Sequence, residues 1–368
     1  MDLTKLYVEI TSRCNLACRM CMLNTLDEPT GLMPEETFYT LLDQLAGLPR
    51  MPVLHLAGYG EPTSHPAFLR MVRAARAAGA EVEFTTNGTL LDEPLARAVV
   101  EAGVRRVVVS IDGVRPESYA DIRLGSKLPE VLANMRRLRR IKIQLKGRSA
   151  DPQVAIAFVA MKRNVDDIPQ LSRLAASIGA TAIIVSNLVP HTPEMEQEIL
   201  YERSIATRHY TSSDARINIS LPKMDVGAAT VPALASVFQS RMSVSLLDAD
   251  LGARDEYCRF VHDGYAALRW DGELSPCLDM LHTHTEYIHG RPREAHHHSA
   301  GNSSQTPLPT LRADMATFRQ DVLDFNYSGC VFCAGCHRFA ENREDCTEIA
   351  DAPVCGGCLW AQGLVQCP

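Results

Sequence analysis

The stretch "VEITSRCNLACRMCML", residues 8 to 23, places Cys14, Cys18 and Cys21 directly after a short apolar run that is typical of a first strand. Three thiols so close together are an odd number for disulfides and one fewer than a closed zinc site requires. A Cys-x3-Cys-x2-Cys loop can instead supply three of the four thiolates that usually hold a [4Fe–4S] cluster, leaving one iron open to another ligand. Two other interpretations stay open at this point: a zinc site completed by a distant histidine, and plain buried thiols.

Length, charge and hydropathy narrow the class of protein. The chain has 368 residues, of which 46% are hydrophobic, which fits a large α/β domain with a smaller second unit. The net charge is −7 with both signs spread along the chain, so we expect no nucleic-acid partner. Neither a membrane-spanning run nor a signal-peptide pattern is present, so we expect a cytoplasmic protein without membrane association. Twelve cysteines in a reducing compartment indicate metal binding or redox chemistry.

Between residues 5 and 190 the chain alternates short apolar runs with amphipathic stretches. The expected strands lie near residues 5–10, 53–60, 81–88, 105–113, 153–164 and 181–188. The expected helices lie near 34–48, 65–80, 92–103, 115–122, 128–140 and 166–180. Such alternation predicts an α/β fold in which helices cover a parallel sheet, and six units suit a partial (β/α)6 barrel.

Distinctive polar and glycine-containing segments follow all six expected strands. The active site of a parallel α/β fold forms where the strands end at their carboxyl ends. The segments are the cysteine loop, "GYGEP" (58–62), "TTNG" (85–88), "SIDG" (110–113), "KRN" (162–164) and "SNL" (186–188). Any one of them could be an ordinary turn. Six at one edge of the sheet predict a functional site there.

At these residues the sequence resembles the radical SAM enzymes. "CNLACRMC" resembles their cluster motif, and "GYGEP" resembles their Gly-Gly-Glu-Pro motif with Tyr59 in place of one glycine. The resemblance implies that Cys14, Cys18 and Cys21 hold a [4Fe–4S] cluster and that S-adenosylmethionine chelates its open iron through the amino and carboxylate groups. The cofactor-binding residues that it implies are Gly58, Gly60, Glu61, Pro62, Thr86, Asn87, Ser110 and Asp112.

The residue types agree with this assignment. Gly60 offers a backbone that can come close to a ligand. Glu61 can accept hydrogen bonds from an ammonium group or orient its loop, while Asn87 and Ser110 are short polar groups suited to carboxylate or ribose contacts. The resemblance further implies that one electron from the reduced cluster breaks the sulfonium and gives a 5′-deoxyadenosyl radical, which removes a substrate hydrogen. Reduced ferredoxin or flavodoxin is the expected electron donor. The sequence identifies no catalytic side chain.

The C-terminal part of the chain is rich in cysteine. We expect a barrel domain over 1–215, a linker or bridging region over 216–256, and an auxiliary domain over 257–368 that opens with a hairpin turning at Asp271 and Gly272. The pattern resembles the SPASM-type extension of radical SAM proteins, which implies two auxiliary [4Fe–4S] clusters. Cys258 and Cys277 are expected to share the cluster nearer the barrel, and zinc ribbons stay an alternative. Most of the remaining cysteines would complete that cluster and build the second: Cys330, Cys333, Cys336, Cys346, Cys355, Cys358 and Cys367.

Two further segments carry weaker signals. The histidine-rich stretch 281–305 could bind metal, but its glycine, serine and proline content favours an exposed loop. His191, Glu194 and Glu198 follow the sixth expected strand and could line a substrate mouth, although a capped surface helix with a solvated acidic face is favoured.

The segments 185–201 and 355–368 resemble stretches of SPASM-type radical SAM proteins linked with tungstopterin aldehyde oxidoreductases. This resemblance implies that the target is a partner enzyme, its cofactor or its precursor. One alternative is a radical SAM maturase acting on a ribosomally made peptide. It is disfavoured because the first expected strand begins near residue 5, with no peptide-binding segment before it. An alternative of another class is a non-catalytic iron–sulfur electron-transfer or zinc scaffold protein.

Overall fold

The computed structural model describes residues 2–201, 218–222, 224–225, 227–238, 243–246, 259–288, 291–324 and 365. Of the nine C-terminal cysteines, Cys277 falls within these ranges. The predictions made for the other eight fall outside the described residues: Cys258, Cys330, Cys333, Cys336, Cys346, Cys355, Cys358 and Cys367. Across the described ranges, no helix is both long and apolar enough to cross a lipid bilayer.

A mostly parallel sheet organises the described part of the chain. Its strands are β1 (Lys5–Val8), β2 (Val53–Leu56), β3 (Val82–Thr86), β4 (Arg106–Ser110), β5 (Gln153–Ala160), β6 (Ala182–Asn187), β7 (Asn218–Leu221), β8 (Ser243–Leu246), β9 (Tyr265–Leu268) and β10 (Leu274–Ser275). Their order in the sheet is β10-β9-β1-β2-β3-β4-β5-β6-β7-β8; β9 and β10 pair antiparallel, and all other neighbouring strands of this sheet pair in parallel. A separate antiparallel hairpin joins β11 (His284–Ile288) to β12 (Arg291–Ala295).

The predicted alternation of strands and helices is confirmed, as is the α/β class. The helices are α1 (Glu35–Ala46), α2 (Phe68–Ala77), α3 (Glu93–Ala102), α4 (Pro116–Ile122), α5 (Leu128–Lys146), α6 (Leu171–Ile178), α7 (Pro193–Glu196), α8 (Val231–Phe238), α9 (Arg259–His262) and α10 (Leu308–Asp324). One expected helix, 166–180, is divided into a 3₁₀-helix (Val165–Gln170) and α6. Pro169 lies inside the first part, and a proline cannot donate the hydrogen bond that would continue an α-helix through it.

One face of the sheet packs against the helices. Successive side chains of a strand point to opposite sides, and Leu6, Val8, Leu54 and Leu56 join the main hydrophobic core with the helices. This face carries the packing that holds the strands in place.

The opposite face carries buried charge near the beginnings of β1, β2 and β3. Glu83 Oε2 lies 3.2 Å from Lys5 Nζ and 3.4 Å from His55 Nδ1, and His55 Nε2 lies 2.8 Å from Thr85 Oγ1. Complete burial lowers the pKa of His55 to about 4, so this imidazole is neutral at pH 7. Burial favours the neutral acid at Glu83, but hydrogen bonding with His55 and the charge of Lys5 hold its pKa well below the usual range.

The sheet extends on both sides of the six predicted strands. The described part of 216–256 contains β7, α8 and β8, which continue the sheet beyond β6. The predicted hairpin at 257–280 is present as β9 and β10, with its turn at Asp271 and Gly272. Strand β9 pairs in parallel with β1, so the chain after residue 259 is joined to the first strand by backbone hydrogen bonds.

The prediction of an exposed loop for the histidine-rich stretch 281–305 was wrong over its first half. This segment forms β11 and β12, and His282 and His284 are buried with 1% and 3% exposure. Carboxylate groups surround both rings, so the histidines form part of a buried charged network. Composition alone could not reveal the partners of His282, because Glu9 and Glu28 come from the N-terminal part of the chain.

Candidate functional site

The cysteine loop lies between β1 and α1, at the carboxyl edge of the sheet. Ser12 anchors its start, since Ser12 N donates to Gly31 O at 3.1 Å and Gly31 N donates to Ser12 Oγ at 2.8 Å. Cys21 N donates to Cys18 O at 2.9 Å, which curls the chain between these two cysteines. Cys14, Cys18 and Cys21 are free thiols, and Cys18 is the most buried of the three.

The electrostatic surroundings of the three thiols favour their neutral form in the absence of a cation. Burial raises the pKa of Cys14 and of Cys18. Burial also raises the pKa of Cys21 to about 12, and the charges of Cys18 and Cys14 add to this effect. Burial thus raises the pKa of all three thiols, and Cys18 adds to the rise at Cys14 and Cys21. A positively charged metal centre would stabilise the thiolates of this site.

Glu61 braces the loop after β2 against the loop after β3. Its Oε1 accepts a hydrogen bond from Thr86 Oγ1 at 2.7 Å, and its Oε2 accepts one from Asn87 N at 2.7 Å. Oε1 also caps the 3₁₀-helix Pro62–Ser64 through Thr63 N at 3.1 Å. Burial raises the pKa of Glu61. The sequence suggested that Glu61 either binds an ammonium group or orients its loop. Its contacts in the structure agree with the second role.

Gly58 and Gly60 allow the loop after β2 to lie against the cysteine loop. A Cβ atom on Gly60 would lie 2.1 Å from Thr11 O and 2.8 Å from Arg13 O, and a Cβ on Gly58 would lie 2.4 Å from Glu9 Cγ. Glu61 N donates to Arg13 O at 2.9 Å. Glycine is thus required at both positions because two loops of the protein lie in contact there. The sequence had suggested another reason for Gly60, namely the close approach of a ligand.

Asn87 connects the loop after β3 to the cysteine loop. Its Nδ2 donates to Asn15 Oδ1 at 2.8 Å and lies 4.0 Å from Cys14 Sγ. Its Oδ1 accepts from Thr89 N at 2.9 Å. Ser110 is the last residue of β4, at the same edge of the sheet. The structure thus brings the predicted residues after β1, β2, β3 and β4 to one edge.

Arg123 is a member of the site that the sequence interpretation missed. It follows α4, and its Nε donates to Asp112 Oδ2 at 2.6 Å while its Nη1 lies 3.8 Å from Cys18 Sγ. Asp112 Oδ1 accepts from Val159 N at 2.7 Å. Burial opposes the charge of Arg123, but Asp112 and Cys18 raise its pKa even above its usual value. Arg123 lies 105 residues from Cys18 in the chain. No short motif therefore connects the two residues, and the sequence alone could not show that they meet.

A second missed group joins the edge of the sheet to the C-terminal part. His282 Nε2 lies 2.9 Å from Glu9 Oε2, and His282 Nδ1 lies 2.9 Å from Glu28 Oε2. Burial opposes protonation of His282, yet its contacts with both carboxylates raise its pKa. The His282 ring links the segment after β1 to the segment before β11.

Tyr59, the residue that departs from the Gly-Gly-Glu-Pro pattern, makes another such link. Tyr59 Oη donates to Leu278 O at 3.3 Å, and its ring packs edge-on against His282 at a centroid distance of 5.8 Å. Cys277 directly precedes Leu278, so this contact holds the one described C-terminal cysteine near the loop after β2.

The residues after β6 divide between two environments. His191 is buried, and its Nδ1 lies 3.3 Å from Thr285 O on β11. Glu198 Oε1 pairs with Arg163 Nη2 at 2.9 Å, and the more exposed Glu194 lies 3.6 Å from the same nitrogen. The exposure of Glu194 agrees with the predicted surface helix that has a solvated acidic face. His191 is instead buried in the contact with the β11–β12 hairpin.

Comparison with known proteins agrees with this geometry. The sequence signature of the Radical SAM superfamily matches residues 8–149. A "Tungsten-containing aldehyde ferredoxin oxidoreductase cofactor-modifying protein" of Pyrococcus furiosus is 31% identical over 373 residues, covering 99% of this chain and 96% of that protein.

Solved structures share the fold at low sequence identity. Streptococcus suis SuiB bound to its precursor peptide SuiA superposes with a TM-score of 0.60 at 14% identity, over 88% of this chain and 67% of that one. The native anSMEcpe structure with bound AdoMet gives a TM-score of 0.58 at 15% identity, over 91% of this chain and 87% of that one. With a cysteine loop braced by the loops after β2, β3 and β4, the chain belongs to the radical SAM superfamily and is an S-adenosylmethionine-dependent enzyme.

Proposed function

We propose that this enzyme cleaves S-adenosylmethionine reductively to a 5′-deoxyadenosyl radical and uses it to modify a tungsten-dependent oxidoreductase or its cofactor. The observation that supports the radical chemistry most strongly is the convergence of three free thiols in one short loop at the carboxyl edge of the sheet. The observation that supports the target is the similarity over nearly the whole chain to the Pyrococcus furiosus cofactor-modifying protein.

The residues of the cysteine loop suit a [4Fe–4S] cluster. Thiolates are the ligands that iron–sulfur clusters use, and Cys14, Cys18 and Cys21 supply three of them. The guanidinium of Arg123, 3.8 Å from Cys18 Sγ, would offset part of the negative charge of a thiolate-ligated cluster and so favour its reduction. When bound, the cluster would supply the electron that breaks the sulfonium of S-adenosylmethionine.

We assign the walls of the S-adenosylmethionine site to the residues that follow β2, β3 and β4. Glu61, Thr86 and Asn87 hold one another and the cysteine loop in place, so their role is to fix the shape of this wall. Asp112 holds Arg123 beside Cys18, and Ser110 at the end of β4 is the candidate for a direct polar contact. The other residues that we assign to the S-adenosylmethionine site are Gly58, Gly60 and Pro62.

We further propose that the C-terminal part carries two auxiliary [4Fe–4S] clusters and that Cys277 is a ligand of the one nearer the sheet. The position of Cys277 supports this, because Tyr59 and His282 fix the adjacent segment against the loop after β2. A reduced ferredoxin or flavodoxin would supply the electrons.

The proposal is tested with anaerobically reconstituted protein. Given dithionite and S-adenosylmethionine, the wild type should form 5′-deoxyadenosine, and three clusters require about twelve irons per chain. Cys14→Ala should form none while retaining the absorbance of the auxiliary clusters. Cys277→Ala is the matched control, since it removes a cysteine at the other end of the chain and should still permit some uncoupled cleavage.

Each result has a clear contrary outcome. Formation of 5′-deoxyadenosine by Cys14→Ala would refute the assignment of the cysteine loop. Zinc in place of iron, or a wild type that forms no 5′-deoxyadenosine, would favour the scaffold alternative. The target is tested by incubating the enzyme with a tungsten-dependent oxidoreductase and measuring hydrogen transfer from its cofactor into 5′-deoxyadenosine. No transfer from the oxidoreductase, with transfer from a short peptide, would favour the peptide-maturase alternative.

A further inference from the structure

Three potential metal ligands, none of them a cysteine, meet in the C-terminal part of the chain. Asp279 begins the 3₁₀-helix Asp279–Leu281, and His284 and Glu286 share one face of β11 because they are two residues apart on a strand. One ligand atom from each of the three lies within 4.8 Å of the other two. The side chains of His284 and Glu286 are fully buried, and that of Asp279 is 13% exposed.

The orientation of the His284 ring is set by the backbone. His284 Nδ1 lies 2.9 Å from His282 O, and a carbonyl can only accept, so Nδ1 carries the proton and donates it. In the neutral ring Nε2 then bears a lone pair, which is the arrangement found when a histidine binds a metal and its other nitrogen donates to a carbonyl. Within the described residues, His284 Nε2 makes no hydrogen bond although it is fully buried.

The distances around His284 Nε2 are long for hydrogen bonds and suitable for metal coordination. Nε2 lies 3.4 Å from Asp279 Oδ1 and 3.5 Å from Glu286 Oε1, whereas a good N–H···O bond is about 2.9 Å long. Nitrogen and oxygen ligands bind zinc at about 2.0–2.2 Å, so two ligands of a tetrahedral ion lie roughly 3.4 Å apart. A cation between these three atoms would remove the repulsion between a nitrogen lone pair and two carboxylates.

We propose that Asp279, His284 and Glu286 bind one divalent transition-metal ion, separate from the iron–sulfur sites. One imidazole and two carboxylates form a nitrogen and oxygen donor set that suits Mn²⁺, Fe²⁺ or Zn²⁺ and lacks the sulfur that an iron–sulfur cluster requires. Three protein ligands leave a coordination position open for water or for a donor atom of another molecule.

The site lies where the hairpin meets the end of β6. Tyr287 N, on the next residue after Glu286, donates to Pro190 O at 2.8 Å. The ring of His191 lies edge-on to that of His284 at a centroid distance of 5.2 Å. A bound ion would therefore connect the start of β11 to the 3₁₀-helix near Cys277. The segment that follows β6 contacts β11 at the same place.

The probe for this site is Mn²⁺ alone, added to anaerobic holoprotein that has first been treated with EDTA. Mn²⁺ binds thiols weakly, so the cysteines do not compete, and its free concentration is read from its electron paramagnetic resonance signal. We expect one tightly bound Mn²⁺ per chain. Glu286→Gln should weaken this binding at least about tenfold. Glu294→Gln is the matched control, because Glu294 is an exposed glutamate of the same hairpin and its loss should change nothing.

A second measurement needs no variant. Pulsed electron paramagnetic resonance of the wild type with bound Mn²⁺ should detect a directly bound imidazole nitrogen, and this coupling should be absent in His284→Gln. If the wild type binds no Mn²⁺, if Glu286→Gln binds it as tightly as the wild type, or if the bound ion shows no nitrogen coupling, the proposal is wrong. His284 would then be a protonated ring held between two carboxylates. The failure of radical chemistry at the cysteine loop would leave this result unaffected.

Discussion

Arg123 and Asp112 form a buried ion pair at the edge of the cysteine loop. The side chain of Asp112 is fully buried and that of Arg123 is 11% exposed. The pair has a further partner on each side, Cys18 next to the guanidinium and Val159 N at the carboxylate. An isolated charge at this depth would be strongly unfavourable, so each member depends on the other.

Loss of this pairing should destabilise the protein. Arg123→Gln leaves Asp112 charged and unpaired, and we expect the free energy of unfolding to fall by about 3–5 kcal/mol. The double variant Asp112→Asn/Arg123→Gln should lose less than the single one, as measured by urea denaturation under anaerobic conditions. Arg140→Gln is the control, because its pair with Glu93 is exposed and is worth less than about 1 kcal/mol. A double variant less stable than Arg123→Gln would contradict this account.

His55 should make stability fall in mild acid. Its pKa is about 4 in the folded protein against an ordinary value of 6.5, so between these pH values the unfolded chain binds more protons. Stability should therefore decrease as the pH drops from 7 to 5, by roughly 2 kcal/mol from this residue. The depressed pKa of Glu83 acts in the same direction at lower pH.

The check is urea denaturation of the wild type and of His55→Gln at pH 7 and at pH 5. The variant should show the smaller difference in free energy of unfolding between the two pH values. His296→Gln, at an exposed position, should behave as the wild type does. Equal differences in all three proteins would show that His55 titrates normally.

At the scale of elements, the site is made by loops that touch one another. The loop after β2 meets the cysteine loop through Gly58 and Gly60, and it meets the loop after β3 through Glu61. The sequence predicted that these segments lie at one edge of the sheet. The sequence could not predict that Glu61 would accept hydrogen bonds from neighbouring loops, because these contacts depend on the spacing of the strands in three dimensions.

Gly60→Ala should disturb the site far more than it disturbs the fold. The added Cβ would meet Thr11 O at 2.1 Å, so the cysteine loop must move, and a shift of about 1 Å at a reacting centre can lower a rate about 100-fold. We expect a loss of that order in the formation of 5′-deoxyadenosine, measured at saturating S-adenosylmethionine. Gly227→Ala is the matched control, since a Cβ there meets nothing within 4 Å. Similar losses in both variants would argue against loop contact as the cause.

At the scale of the whole molecule, the sequence predicted the six strands β1 to β6 and the order in which they alternate with helices. Strong apolar runs such as those of β4 and β5 made this possible. The strands β7 and β8 were missed because their short runs lie in a region without clear helical periodicity. The buried His282, just before β11, was missed because its carboxylate partners Glu9 and Glu28 lie more than 250 residues away.

The position of β1 in the sheet has a consequence for biosynthesis. This strand is made before both of its neighbours, β2 on one side and β9 on the other, and β9 begins only at Tyr265. While the ribosome is still translating the intervening residues, one backbone edge of the strand that leads into the cysteine loop has no native partner. Unpaired edges invite association with other chains. The nascent protein would therefore benefit from a chaperone, or from delayed folding, until the segment near residue 268 has emerged from the exit tunnel.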